Sequence, residues 1–183
     1  MLSMMYEASS KELRKGRFSS GEVSYFVTIC SYKRNYISGI TIFEAIRIAF
    51  GWLEANSYIK LFCFVLMPDH IHAVFQLTGD KNLSEVVSNL KVSVWKLLKE
   101  KIGTDKFWQQ GFFDHRIRKN EQFMQVVFYC YNNPYRAGII NSEGRYPFWY
   151  CESGIQKELD NRMDFYRAQE MEGKGFNPRL RER

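Results

Sequence analysis

Two histidines stand two residues apart near the middle of the chain. His70 and His72 follow a Met-Pro-Asp turn at positions 67–69 and begin an apolar run. In an extended strand alternate side chains leave the same face, so both imidazoles point one way while Ile71 and Ala73 point the other. Two converging histidines can hold one metal ion, and the chain has only three histidines in all. The alternative is a pair of hydrogen-bonded or surface histidines, and the spacing alone leaves both interpretations open.

A second group of reactive side chains lies between positions 123 and 140, where the sequence predicts a helix. Each helical residue turns by about 100°, so Asn133 lies one turn from Tyr129 on the same flank. By the same rotation Tyr131 lies roughly 160° away from Tyr129. Only one of these two tyrosines can therefore share a site with Asn133. The alternative for either ring is simple packing on an amphipathic helix.

Two imidazoles, one amide oxygen and one phenol together favour phosphodiester chemistry. Imidazole and oxygen ligands suit Mg²⁺ or Mn²⁺ with open positions, and the lack of nearby cysteines argues against a closed zinc site. An open metal can polarise a phosphodiester oxygen. A tyrosine hydroxyl has a pKa of about 10 in water and needs positioning to attack. A phosphotyrosine would conserve the bond energy, which favours strand transfer over hydrolysis.

The elements that must position these groups follow from hydrophobic spacing and turn residues. The short connection at 67–69 makes the strands on either side an antiparallel pair. The predicted elements are a strand at about 25–32, a helix at 41–56, strands at 59–66 and 70–77, a helix from 84 to about 103, a strand at 112–118 and a helix from 120 to about 134. A single antiparallel sheet with packed helices, an α+β sandwich, accounts for this order.

The sequence also predicts where the helices begin and which of their side chains are buried. Thr41 and Glu44 have the capping-box spacing, and Ser84 and Asn120 are candidate caps for the next two helices. The predicted buried side chains are Phe43, Ile46, Phe50 and Leu53 in the first helix, Val86, Leu90, Val94 and Leu97 in the second, Phe123, Val127 and Cys130 in the third, and Trp95 and Trp108.

Composition limits the class of protein. The 183 residues, 45% hydrophobic and 16% aromatic, suit one folded domain. We expect a basic arm at 1–21, a domain at 22–156 and a charged, solvated helical tail at 157–183. The net charge of +6 makes a polyanion a plausible partner. Four scattered cysteines predict reduced thiols, and the lack of a long apolar segment predicts a cytoplasmic protein without a membrane partner.

The motifs together resemble a known family. Residues 68–72 resemble the His-hydrophobic-His signature of HUH endonucleases, and residues 129–138 resemble the tyrosine helix of their single-tyrosine transposases. Within that branch the chain is most similar to REP-associated tyrosine transposases, relatives of the IS200-like enzymes. The arm at 14–19, the stretch at 107–118 and the Asn-Pro-x-Arg-Ala-Gly run at 133–138 also match. The likeness spans roughly residues 14–150.

The resemblance implies a ferredoxin-like core and cleavage and rejoining of single-stranded DNA next to a hairpin. It also implies a divalent metal, Mg²⁺ or Mn²⁺, and a 5′-phosphotyrosine intermediate with a free 3′-hydroxyl. By the same likeness His70, His72 and Asn133 are the metal ligands and Tyr129 is the nucleophile. Tyr131 stands where the family commonly has histidine. Members of this superfamily include monomers and homodimers, so the resemblance implies either a monomer or a homodimer and leaves the choice open.

Further residues are candidates for weaker roles. His115 lies in a matched segment and is a possible auxiliary residue. Arg14, Lys15 and Arg17 can contact DNA, and Phe18 offers a stacking ring. General candidates for phosphate contacts are Lys91, Lys96, Arg116, Arg118 and Arg136. Two other functions remain open at this stage: a metal-dependent nuclease that uses activated water, and a hairpin-binding protein without catalysis.

Overall fold

A computed structural model describes residues 23–103, 106–117, 120–141 and 145–176. Within these ranges the strands are β1 (Ser24–Cys30), β2 (Ile59–Met67), β3 (His70–Leu77), β4 (Phe113–Ile117) and β5 (Trp149–Cys151), and the α-helices are α1 (Ile40–Ala55), α2 (Leu83–Ile102), α3 (Asn120–Arg136), α4 (Ser153–Asn161) and α5 (Met163–Met171). The strands form one antiparallel sheet in the order β4-β1-β3-β2-β5. The α+β, ferredoxin-like sandwich predicted from the sequence is confirmed.

The first face of the sheet is covered by α1 and α2. The side chains of β3 that point there are Ile71, Ala73, Phe75 and Leu77, all of them buried. Phe50 on α1 contacts Phe75 and also Phe64 of β2, with ring centroids 6.3 and 5.2 Å apart. This layer is the larger apolar core, and it fixes the register of the central strands because a one-residue slip would turn every one of these side chains to the opposite face of the sheet.

The second face of the sheet is covered by α3, α4 and α5. Buried apolar side chains from the strands and from α3, including Phe26, Val74 and Val127, form a separate cluster there. Leu159 of α4 and Tyr166 of α5 are buried in the same cluster, as is Phe176 beyond the last helix. The expectation of a solvated tail beyond residue 156 is therefore wrong for these helices, because each of them buries an apolar side chain although its sequence carries several charged residues.

Several predicted helix boundaries need correction. Helix α1 begins at Ile40 after Gly39, whose φ is 128°, and Thr41 lies inside the first turn without capping it. Helix α2 is capped by Asn82, not by Ser84: the Asn82 side chain accepts from the backbone N–H of Glu85, and the Glu85 side chain accepts from that of Asn82. The chain therefore uses a capping box at α2, two residues before the predicted cap.

Helix α3 continues past the proline that was expected to end it. Pro134 lies within the helix, which runs on to Arg136. A proline there removes one backbone hydrogen bond, which is tolerable in the last turn. The helix ends where Gly138 adopts a left-handed φ of 66° and the N–H of Ile139 donates to the carbonyl of Pro134 at 2.9 Å.

The structure differs from the sequence predictions in two further respects, a buried position of α2 and an additional strand. Leu97 is 46% exposed, and Leu98 instead points into the core, because the buried stripe of α2 shifts by one residue over its length. Strand β5, which pairs with β2, was not predicted, since three residues are too few to show alternation. Trp95 and Trp108 are partly buried against the first core.

Candidate functional site

The two histidines of β3 lie side by side on the second face of the sheet. Their Nε2 atoms are 3.0 Å apart, and their rings meet at 77° with centroids 4.5 Å apart. Ile71 between them points into the opposite core. The alternation predicted from the sequence therefore brings the two imidazoles together at the start of β3.

The other ring nitrogen of each histidine has its own partner. His70 Nδ1 lies 2.5 Å from Asp69 Oδ1, and His72 Nδ1 lies 2.8 Å from Thr28 Oγ1 on β1. A carboxylate can only accept from a neutral imidazole, so His70 donates through Nδ1 and keeps a lone pair on Nε2. The same tautomer at His72 would place both lone pairs in the space between the rings. Such partners orient histidines at metal sites.

Asp69 is itself held by an arginine. Arg34 Nε lies 2.7 Å from Asp69 Oδ2, while Asp69 Oδ1 faces His70. The carboxylate is thus shared between a guanidinium and an imidazole. Because both of its oxygens are engaged, Asp69 fixes the orientation of His70. The sequence alone did not predict that Arg34 holds Asp69.

Burial favours the neutral form of both histidines. It lowers the pKa of His70, although the neighbouring Asp69 carboxylate acts in the opposite direction. Burial lowers the pKa of His72 further, with added contributions from His70 and Arg34. The neutral imidazole is the form that binds a metal ion.

The geometry of the pair fits a metal with octahedral preference. Two ligand atoms at adjacent corners of an octahedron with bonds of about 2.1 Å lie about 3.0 Å apart. The separation of the two Nε2 atoms matches that value. Among the residues that the structure describes, no group of three or more His, Cys, Asp or Glu side chains could hold a metal ion.

Tyr129 of α3 packs next to this pair. Its ring centroid lies 5.7 Å from that of His72 and 5.7 Å from that of Phe26. Phe176 covers another side at 5.4 Å, and the guanidinium carbon of Arg136 lies 5.4 Å from the ring centroid. The structure therefore joins Tyr129 to the histidine pair through direct ring contact.

Asn133 lies one turn after Tyr129, as the helix geometry predicted. Its Nδ2 donates to the backbone carbonyl of Tyr129 at 2.7 Å. This bond uses the amide nitrogen, and the amide oxygen is the atom that could ligate a cation. Asn133 is thus connected to the tyrosine, while its assignment as a metal ligand stays a prediction.

Tyr131 occupies a different environment from Tyr129. Its hydroxyl lies 3.3 Å from that of Tyr135, and its ring packs edge-on against Trp149 of β5 at 5.6 Å. Burial, followed by the contact with Tyr135, raises the pKa of Tyr131 to about 12. The inference that only one of the two tyrosines faces the Asn133 flank agrees with these contacts.

His115 lies on β4, and β1 separates this strand from β3, which carries the histidine pair. It is opposite Phe26 in the register of β1 and β4, and its ring centroid is 5.4 Å from that of Phe176. It therefore lines the same face as His70 and His72, and Phe176 and Phe26 connect it to Tyr129. An auxiliary role for His115 stays a prediction.

The cationic candidates lie on several elements, and Lys96 is exposed on α2. The ammonium of Lys91 donates to the backbone carbonyls of Gln109 and Gly111, so it holds the loop before β4. Arg116 is exposed on β4, opposite Tyr25. Arg136 stands over Tyr129 and pairs with Glu170 at 3.1 Å. Five candidates lie outside the described residues: Arg14, Lys15, Arg17, Phe18 and Arg118.

Sequence reasoning missed the residues that surround the site from other elements. Thr28 and Phe26 belong to β1, and their positions opposite His72 and Val74 follow only from strand pairing. Glu170 binds Arg136 and also accepts from Asn132, so α5 is tied to the end of α3. Alternation along the first strand is a signal that could have placed Thr28 on the histidine face once the pairing was known.

The fold and the paired histidines facing a tyrosine helix define a class of DNA-processing proteins. Residues 22–133 match the family described as "Transposase IS200 like". Since this match covers more than half of the chain, the chain belongs to that family. Within the described residues no helix is both long and apolar enough to cross a membrane.

Individual relatives narrow the likeness further. The chain is 25% identical over 130 residues to the REP-associated tyrosine transposase of Escherichia coli (strain K12), covering 68% of this chain and 74% of that one. A protein of Haemophilus influenzae (strain ATCC 51907 / DSM 11121 / KW20 / Rd) is 22% identical over 158 residues, with coverage of 78% and 86%. A solved REP-associated tyrosine transposase bound to a REP hairpin has the same fold, with a TM-score of 0.58, 23% identity and coverage of 69% and 74%. The resemblance to REP-associated tyrosine transposases is confirmed.

Proposed function

We propose that this protein cleaves and rejoins single-stranded DNA next to hairpins through a covalent bond to Tyr129. The observation that carries the proposal is the direct contact between the Tyr129 and His72 rings, beside two Nε2 atoms 3.0 Å apart. A nucleophile and a candidate cation site are thereby adjacent. Phosphodiester cleavage needs both within reach of one phosphate.

In the proposed reaction the Tyr129 hydroxyl oxygen attacks the phosphorus of a phosphodiester. The bond from phosphorus to the 3′ oxygen breaks, the phenol proton is released, and the 3′ oxygen takes up a proton. The products are a 5′-phosphotyrosine and a free 3′-hydroxyl. The reverse attack by another 3′-hydroxyl releases the tyrosine and joins two strands, so no high-energy cofactor is consumed.

His70, His72 and the Asn133 oxygen would hold a divalent cation, Mg²⁺ or Mn²⁺. When bound, that ion supplies a positive charge that polarises the phosphate and stabilises the charge that develops on it. The chain's own residues do the positioning: Asp69 and Thr28 orient the two imidazoles. Arg136, which lies above the Tyr129 ring and pairs with Glu170, would attract the phosphate toward the hydroxyl.

Hairpin DNA as substrate is supported by the relatives and by charge. The solved relative is bound to a REP hairpin, and a net charge of +6 favours a polyanion. The end of α3 also carries a cation, Arg136, beside the Tyr129 ring.

The test is incubation with a fluorescently labelled hairpin oligonucleotide that carries single-stranded flanks, with Mg²⁺ or Mn²⁺. We expect a denaturant-resistant protein–DNA adduct that disappears in Tyr129→Phe and with EDTA. Tyr131→Phe is the matched control, because it removes the same hydroxyl from the same helix outside the site. An adduct that persists in Tyr129→Phe contradicts the proposal.

The same experiment separates the two other functions. Cleavage without any adduct, retained in Tyr129→Phe but lost in His70→Ala, would indicate a nuclease that uses activated water. Hairpin binding that is equal in the wild type and in His70→Ala, without cleavage in either, would indicate a binding protein that has lost catalysis.

A further inference from the structure

A five-residue segment with two aromatic rings and two cations passes directly beside the histidine site. Residues 32–36, Tyr-Lys-Arg-Asn-Tyr, follow β1 and wrap around the turn between β2 and β3. The N–H of Ser31 donates to the carbonyl of Asp69 at 2.9 Å, and the N–H of Ile37 donates to that of Pro68 at 2.6 Å. These bonds at both ends fix the segment next to the residue that precedes His70.

The backbone of this segment is strained. Lys33 has a φ of 51° and Arg34 a φ of 59°, so two consecutive residues other than glycine adopt the left-handed conformation. That conformation is unfavourable for any residue with a side chain, because the Cβ crowds the backbone. Arg34 holds the strained turn in place through its ion pair with Asp69. The retention of two strained residues beside the candidate site points to a role for the side chains that this turn carries.

The side chains that the turn presents combine rings with positive charge. Tyr36 is 77% exposed, unlike the buried tyrosines of the sheet such as Tyr25. The ammonium groups of Lys33 and Lys106 lie 5.5 and 5.6 Å from the centroid of the Tyr32 ring. The exposed Tyr36 ring, together with the half-buried Tyr32 ring and its neighbouring ammonium groups, supplies the elements of surfaces that bind single-stranded nucleic acid, where bases stack and phosphates pair with lysine.

We infer that residues 32–36 bind the single-stranded DNA that adjoins the cleavage point, with Tyr36 as a stacking platform for a base and Lys33 as a phosphate contact. This inference rests on the proposed function, since it assumes a DNA substrate at the histidine pair. A duplex would not use this surface in the same way, because its bases are already stacked on one another. The segment would then align the flank of a hairpin with the Tyr129 hydroxyl.

The experiment measures binding without cleavage, by fluorescence anisotropy in EDTA. Two oligonucleotides are compared: a blunt hairpin, and the same hairpin with a single-stranded flank of mixed sequence on each side. We expect the wild type to bind the flanked hairpin more tightly. Tyr36→Ala should weaken binding of the flanked hairpin by about five- to a hundredfold, the range of base stacking on one ring, and leave the blunt hairpin unchanged. Tyr36→Phe should retain the wild-type affinity.

Two matched controls isolate the segment. Phe165→Ala removes another exposed ring, 56% exposed on α5, and should change neither affinity. Lys33→Ala should lower the salt dependence of flank binding by about 0.7 in the slope of log K against log salt, the value for one single-strand phosphate. Lys99→Ala, which removes a lysine that lies over Trp95 at 6.0 Å on α2, should leave that slope unchanged.

The outcomes separate this inference from the proposed function. An equal affinity of the wild type for both oligonucleotides, or of Tyr36→Ala and the wild type for the flanked one, overturns the role of residues 32–36. If adducts at Tyr129 still form in that case, the proposed function stands without it. If flank binding depends on Tyr36 but no adduct forms with any metal, the binding surface stands and the proposed chemistry fails.

Discussion

The two faces of the central sheet differ in chemistry although the same strands supply both. On the first face β3 contributes Ile71, Ala73 and Phe75 to a dry apolar core under α1 and α2. On the second face the same strand contributes His70 and His72, next to Tyr129 of α3. Because strand side chains alternate, one eight-residue strand can anchor the fold with one half of its side chains and carry the two histidines of the candidate site in the other half.

The difference shows how a site can hold polar groups at high precision. The first face determines where β3 lies, because its side chains are fully buried and intolerant of a shift in register. The second face then inherits that position. Polar partners such as Thr28 and Asp69 only have to orient rings whose backbone is already fixed. Neighbouring residues on β3 should therefore respond very differently to substitution.

The largest effect on function should come from the second face. We expect His72→Ala to lower Mn²⁺ affinity, measured by isothermal titration calorimetry, by more than the about 10- to 100-fold that loss of an outer-shell partner causes. Adduct formation should fall with it, while the free energy of unfolding changes less than in Ile71→Ala. Equal metal affinity in His72→Ala and the wild type would remove the histidine pair from the site.

The largest effect on stability should come from the first face. Ile71 is fully buried, so Ile71→Ala should lower the free energy of unfolding by about 2–5 kcal/mol, measured by urea denaturation. Protein that remains folded should bind Mn²⁺ like the wild type. Ile71→Val, which keeps most of the side chain, is the control and should cost about 0.5–1.5 kcal/mol. A loss of metal affinity in the folded Ile71→Val protein would show that the two faces are not separable.

The two faces should also differ in their response to pH. Burial lowers the pKa of His70 and His72 below the ordinary 6.5, so the folded state resists their protonation more than the unfolded state does. In metal-free protein the two neutral histidines should therefore contribute to the free energy of unfolding. This contribution should be fully present above about pH 6.5 and should be lost as the pH falls toward the folded pKa values. Urea denaturation from pH 7.5 to 5 measures the slope. His72→Asn should flatten it, and an equally steep slope in that variant would contradict the assignment.

The smallest effect concerns the helix start on the first face. Asn82→Ala removes the capping box of α2 and should lower the free energy of unfolding by about 1 kcal/mol, measured by urea denaturation. Thr41→Ala should be close to neutral, because Thr41 does not cap α1. Neither change should alter adduct formation. A larger loss in Thr41→Ala than in Asn82→Ala would reverse the corrected cap assignment.

Much of the fold follows from local sequence patterns. The bounds of β3 and the end of α2 at Gly103 were predicted correctly because alternation and a left-handed glycine are strong local patterns. Strand β5 and the buried side of α4 and α5 were not, since a three-residue strand and a helix with dense charges resemble loops and solvated segments. Leu98 is buried in α2 and Leu97 is not, because the packing of the helix against the first core decides between these two neighbouring positions, which the local spacing does not.

The sequence by itself determined which reactive residues are present and how they are arranged within a single strand or helix. It placed two histidines on one face of a strand, and Tyr129 and Asn133 on one flank of a helix, with Tyr131 turned away. These relations depend on periods of about 2 and 3.6 residues and need no knowledge of the rest of the chain. Only the tertiary structure decided that Arg34 holds Asp69, that Thr28 faces His72 and that Arg136 stands over Tyr129. Those contacts join residues from different elements, and strand pairing and helix packing, which bury apolar surface across the whole domain, fix which of them meet.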